Sequence, residues 1–153
     1  VATLEHEVWI DAPRHAVYRW LASAEAIGAW WDPQTEVQTA EGLVWEHSPG
    51  PAHGTVRMLV TERTPDTRLR WKCISHHAPD TPASSWTGTV ITFELGDRAS
   101  SAAASASWAT ALPVQSVLHF RHEGWPDDSP YLGFCNTAWA EVLQQLARKA
   151  VAG

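Results

Sequence analysis

The side chain best placed for chemistry is His122. It ends a row, Leu118, Phe120 and His122, in which every second residue points the same way. An imidazole titrates near neutral pH, so at a cavity rim it could move a proton or orient a ligand. The competing role is structural, a ring hydrogen-bonded to the turn at Gly124. The sequence offers His122 no partner carboxylate, and a lone histidine is weak grounds for acid–base catalysis. The structural role is therefore favoured, for His122 as for His6 and His47. Cys73 and Cys135 also fall on inward positions, where a thiol is usually a small, inert hydrophobe. His76 and His77 are adjacent, so on an extended chain they point apart, and no carboxylate or cysteine nearby completes a ligand set. No metal is expected. Phosphate-cradling glycine loops, nucleophile elbows and cofactor fingerprints are absent, so no cofactor is expected either.

The elements that must carry these residues are readable from hydrophobic period. Five segments alternate at period two, as half-buried strands do. Their inward faces are Leu4-His6-Val8-Ile10, Val56-Met58-Val60, Leu69-Trp71-Cys73, Ile91-Phe93-Leu95 and Leu118-Phe120-His122. Two weaker strands are expected at about 35–39 and 43–47. Alternation of this kind suits an antiparallel sheet with one wet face. Pro13 suits the first position of a helix, with Val17, Trp20 and Leu21 as its apolar stripe. Ser23 suits the N-cap of a short helix ending near Gly28. The strongest helix signal is at the C-terminus. Ser129 is expected to cap it, Pro130 to take its first position, and Leu132, Cys135, Trp139, Val142 and Leu146 to form its buried seam. Residues 75–85 read as a loop, and the Ala/Ser-rich residues 97–107 as a long hairpin connection.

The order is strand, two short helices, a run of strands, then one long helix. That pattern predicts an α+β fold, with helices segregated on an antiparallel sheet and a last helix long enough to cross it. With 153 residues, one domain spanning 1–153 is expected. The net charge of −6 argues against nucleic acid and anionic membrane surfaces as partners, since both select for Lys and Arg. Two distant cysteines suit a reducing compartment, and no secretory or membrane-spanning run is seen, so a cytoplasmic location is expected. Ten tryptophans in a chain this size fill a core, line a cavity, or do both.

Several pieces, in order, resemble the START-like or polyketide-cyclase superfamily. They are Ile10-Asp11-Ala12-Pro13 with Val17, Trp30-Trp31, Leu69-Arg70-Trp71, His122-Glu123-Gly124-Trp125-Pro126, and then Tyr131, Cys135-Asn136 and Trp139. Within the superfamily the chain is most similar to bacterial proteins resembling the activator of the heat-shock-protein ATPase. One departure is a hairpin connection before His122 about ten residues longer than usual, containing Trp108 and Pro113. The resemblance implies a helix-grip fold, a curved antiparallel sheet wrapped around the C-terminal helix, with an apolar cavity between the two. Its walls would come from Trp71, Cys73, Phe93, Phe120 and His122 below, and from Cys135 and Trp139 above. Three functions follow. The leading one is binding of an apolar or aromatic small molecule. The others are a cyclase-type enzyme using His122 and a co-chaperone-like interaction protein. A homodimer or a protein partner is compatible with any of them.

Overall fold

The structure is a computed structural model, and it describes residues 1–99 and 114–153. Seven strands form one antiparallel sheet: β1 (Ala2–Ile10), β2 (Thr35–Thr39), β3 (Gly42–His47), β4 (Val56–Thr64), β5 (Arg68–Cys73), β6 (Val90–Ala99) and β7 (Val114–Trp125). Their spatial order is β1-β7-β6-β5-β4-β3-β2. Among the described residues three α-helices accompany them: α1 (Arg14–Tyr18), α2 (Ala24–Gly28) and α3 (Leu132–Ala152). This is the α+β helix-grip arrangement, a curved sheet with one long C-terminal helix across it.

The five alternating segments are strands, and their apolar positions share the inner face. In β5, Leu69, Trp71 and Cys73 are buried, while Arg68, Arg70 and Lys72 face the other way. The outward charges meet in cross-strand pairs, Arg68 with Glu94 and Glu62, and Arg57 with Glu46. Such exposed pairs add little stability. They do keep that face wet, which fixes which side packs.

Two irregularities shape the sheet around the helix. An extra residue on β4 between Val60 and Glu62 breaks the register with β5, and bulges of this kind bend a strand and increase its twist. The second lies at the end of β7. Ala2 pairs with Trp125 but Thr3 pairs with Glu123, which leaves Gly124 as the surplus residue. Its φ is +92°, a conformation that glycine adopts without steric cost. The bulge shifts the alternation by one, so His122 and Trp125, three apart, are both fully buried.

Ser23 caps α2 as expected, its hydroxyl accepting the Ala26 N–H at 3.1 Å. Ser23→Ala should cost about 1 kcal/mol in a denaturant titration, and an unchanged midpoint would show the cap to be idle. Other expectations are corrected at the margins. Pro13 precedes α1 as its N-cap, and the helix begins at Arg14. The long helix begins at Leu132, two residues after Pro130. The Ser129 hydroxyl is bonded to Ser85 at 2.6 Å and accepts the Tyr131 N–H at 3.3 Å, so it ties two loops together ahead of the helix. The buried seam of α3 is Cys135, Trp139, Leu143, Leu146 and Ala150. Leu143 thus replaces Val142, which lies one residue round the helix and only half-buried. Within the 75–85 loop, Pro82–Ser85 forms one 3₁₀ turn. Residues 97–99 belong to β6, and the rest of the expected 97–107 connection lies outside the described residues.

Candidate functional site

The inner face of the sheet and α3 meet through aromatic rings. The Trp139 ring sits 4.5 Å from Phe120 and 4.9 Å from Trp31, centroid to centroid. Phe93 packs edge-on against Trp71 at 5.1 Å and against Phe120 at 5.3 Å. Trp71, Cys73, Phe93, Phe120 and His122 are all 0–1% exposed. The centre of the grip is filled, and these five of the seven expected cavity residues lie behind the remaining opening.

That opening is a cleft of about 260 Å³ at one end of α3. Cys135 and Trp139 line it, joined by Trp31, Trp86, Phe134 and Val142. Trp86 stacks on Trp139 at 5.8 Å, with the ring planes 17° apart. Phe134 stands at the mouth, 66% exposed. Three polar side chains also line the cleft: Asp32, His47 and His53.

His122 is not at a rim. Its Nδ1 accepts the Trp139 indole N–H at 3.2 Å, and its Nε2 lies 2.8 Å from the Thr89 hydroxyl. An indole nitrogen only donates, so His122 is the neutral Nε2–H tautomer, and Nε2 donates to Thr89. Thr89 in turn donates to the Trp86 carbonyl at 2.5 Å. Burial pushes the His122 pKa down to about 3. Both ring nitrogens are committed and the ring is sealed, so His122 works as a strut. It holds Trp139 on α3 to the segment that carries Trp86, fixing two walls of the cleft.

His47 is the cleft's own imidazole. It is buried on β3 beneath the Trp31 ring, 4.6 Å away, and its Nε2 lies 4.0 Å from an Asp32 carboxylate oxygen. Burial, reinforced by the nearby His77, pushes its pKa down to about 4. Burial pushes the Asp32 carboxyl up. His47 Nδ1 and His53 Nδ1 are buried without a partner among the described residues. His77 differs, with Nδ1 on the His53 carbonyl at 2.6 Å and Nε2 on the Ser75 hydroxyl at 2.7 Å. Cys73 and Cys135 are free thiols, each pushed up by burial, which keeps them protonated and unreactive. Among the described residues no cluster of three or more His, Cys, Asp or Glu is placed to hold a metal. No described helix is long and apolar enough to cross a membrane.

Sequence reasoning missed Asp32, His53, Trp86 and Phe134. A signal existed for the first, because Trp31-Asp32-Pro33 sets an acid directly after a paired tryptophan at a helix end. For the other three no period or motif pointed to the cleft.

The fold and site define a helix-grip domain with an aromatic-walled cleft under its long helix. The model of the family described as Activator of Hsp90 ATPase homolog 1-like protein matches residues 11–150, and the chain belongs to that family. Solved structures agree on the fold. A crystal structure of a Mesorhizobium loti protein is similar over 97% of this chain and 96% of its own, with TM-score 0.70 and 18% identity. The solution structure of the Aha1 dimer from Colwellia psychrerythraea is similar over 96% and 94%, with TM-score 0.67 and 23% identity. The crystal structure of CalU16 from Micromonospora echinospora covers 95% of this chain and 71% of its own, with TM-score 0.65 and 12% identity. No curated protein matches the chain.

Proposed function

We propose that this domain binds a small, mainly apolar aromatic molecule in the cleft beneath α3. The observation that carries the reading is the composition of the walls. Trp31, Trp86, Trp139, Phe134 and Val142 surround the space, and Asp32, His47 and His53 gather within it. Apolar walls with a few convergent polar groups are what small-molecule sites share. Cys135 and Trp139 would touch the ligand, whereas Trp71, Cys73, Phe93, Phe120 and His122 back the wall. Size narrows the class. At about 260 Å³ the cleft lies just below the roughly 300–1,000 Å³ usual for drug-sized ligands. A molecule of two or three fused rings suits it better than a long folded chain.

That size counts against the cyclase reading, and so does the commitment of both His122 nitrogens. The family description supports a second reading, action on a protein partner, and the exposed Phe134 is its natural anchor. The Colwellia neighbour is a dimer, which makes a homodimer one form of such a partner. Two free thiols suit a reducing, cytoplasmic setting.

The test is a screen of fused-ring aromatics by tryptophan fluorescence and melting temperature. A binder at 100 times Kd should stabilise the fold by about 2.7 kcal/mol, raising Tm by roughly 5–10 °C. Ala138 lines the cleft from α3 and is only half-buried, so Ala138→Trp should fill the space and abolish the rise while the protein stays folded. A screen that moves neither signal would leave the protein-partner reading standing.

A further inference from the structure

We propose that the polar end of the cleft is a seat for one hydroxyl group, so that the preferred ligand is a phenol whose oxygen sits between Asp32 and His47. The proposal rests on the small-molecule reading of the cleft and adds the chemistry of the ligand's polar group.

The geometry begins with a gap. His47 Nε2 and the Asp32 carboxylate oxygen are 4.0 Å apart. That is too long for a hydrogen bond between them. It is short enough for one shared oxygen, about 2.8 Å from each, to bond both with an angle near 90° at that oxygen. Both residues line the cleft, so such an oxygen could belong to a bound molecule. The fold itself does not bridge the pair. Among the described residues the Asp32 carboxylate accepts no side-chain hydrogen bond, His47 Nε2 has no hydrogen-bond partner nearer than that 4.0 Å oxygen, and His47 Nδ1 is buried without a partner.

The protonation states select the oxygen's chemistry. Burial keeps His47 neutral at pH 7, with a single N–H. A carboxylate on one side favours that N–H on Nε2, facing it. The seat then offers one donor, His47 Nε2–H, and one anionic acceptor, Asp32. A hydroxyl has one donor and spare acceptor lone pairs, and it satisfies both. A ligand carboxylate would meet Asp32 as a like charge. A ketone would leave Asp32 without a donor, and an ammonium would leave the His47 N–H without an acceptor. Aromatic walls decide what carries the hydroxyl. The Trp31 ring packs over His47 at 4.6 Å and against Trp139 at 4.9 Å, so a flat ring entering beside them brings its substituent to the seat.

The experiment compares two probes of equal shape, 2-naphthol and 2-methylnaphthalene, by fluorescence titration at pH 7. A merely greasy cleft should favour the methyl compound, which is the more apolar of the two. The seat should reverse that order and make 2-naphthol about tenfold tighter, the discrimination expected of a hydrogen-bonded pair left partly open to water. Asp32 is 44% exposed at its side chain, so Asp32→Leu should fold normally and bring the ratio to one or below. His47→Phe, at a more buried position, should do the same wherever it folds. Equal binding of the two probes to the wild type would overturn the seat and leave the cleft reading intact. A preference for 2-naphthol that survives Asp32→Leu would also overturn it. Binding of neither probe would remove the cleft reading, and the seat with it.

Discussion

Acidification from pH 7 to pH 4 should remove a large share of this protein's folding stability, and two histidines should account for the loss. His122 and His47 are buried neutral, with pKa values of about 3 and about 4 against an ordinary 6.5. A histidine with a depressed folded-state pKa binds fewer protons folded than unfolded. Its contribution is therefore fully present above pH 6.5 and is lost as pH falls toward the folded-state value. Each tenfold change in proton affinity is worth about 1.36 kcal/mol. The full contributions are then roughly 5 kcal/mol for His122 and roughly 3 kcal/mol for His47, and roughly 6 kcal/mol in all should be gone by pH 4. Domains of this kind hold about 5–15 kcal/mol in total. Urea unfolding across pH 4–8 should show a plateau above pH 6.5 and a steep decline below it. His122→Gln isolates the larger share. An amide oxygen can accept from the Trp139 indole and an amide N–H can donate to Thr89, but the group does not titrate. That variant should lose about half of the pH dependence. A stability flat from pH 7 to pH 4.5 would show that neither ring is sealed.

Trp139→Ala should be the most damaging single truncation in α3. The ring is 2% exposed and touches Phe120, Trp31 and Trp86, while its indole N–H serves His122. Removing a buried tryptophan costs about 3–5 kcal/mol, the transfer loss plus the cavity left behind. For a domain of this size that should lower Tm by roughly 6–20 °C. Trp139→Phe keeps much of the ring contact and drops only the indole donor, so it should cost less than half as much. A Trp139→Ala loss below about 1 kcal/mol would mean that the surrounding rings close over the gap, and that α3 is not pinned to the sheet where the structure puts it.

These two expectations differ in how far the sequence carried them. Trp139 and Leu146 are legible from helical spacing alone, and β5 from strict alternation between Arg68 and Cys73. Alternation reports which side of a strand avoids water. It does so because successive side chains of an extended chain point to opposite faces, and that holds whatever the strand is packed against. The α+β class and the inward direction of Trp71, Phe93 and Phe120 are of this local kind, whereas the spatial order of the strands is set only by tertiary pairing. The sequence also placed His122 on the inner face, although the bulge at Gly124 that brings Trp125 beside it was not visible.

What the sequence left open is whether an inward face meets a void or another side chain. Trp71, Phe93, Phe120 and Trp139 come from four elements, and only their crossing angles and ring orientations decide that they fill the centre of the grip. The same crossing leaves a gap at one end of α3, walled by residues drawn from positions 31 to 142. No period links Asp32 to His47, or Trp86 to Phe134, because nothing repeats between them. Burial and pKa follow the same division. A histidine's type is in the sequence, but desolvation depends on every neighbour that excludes water from it. Local pattern therefore determined the elements and their apolar faces, and three-dimensional packing alone decided which aromatic rings became core and which became walls.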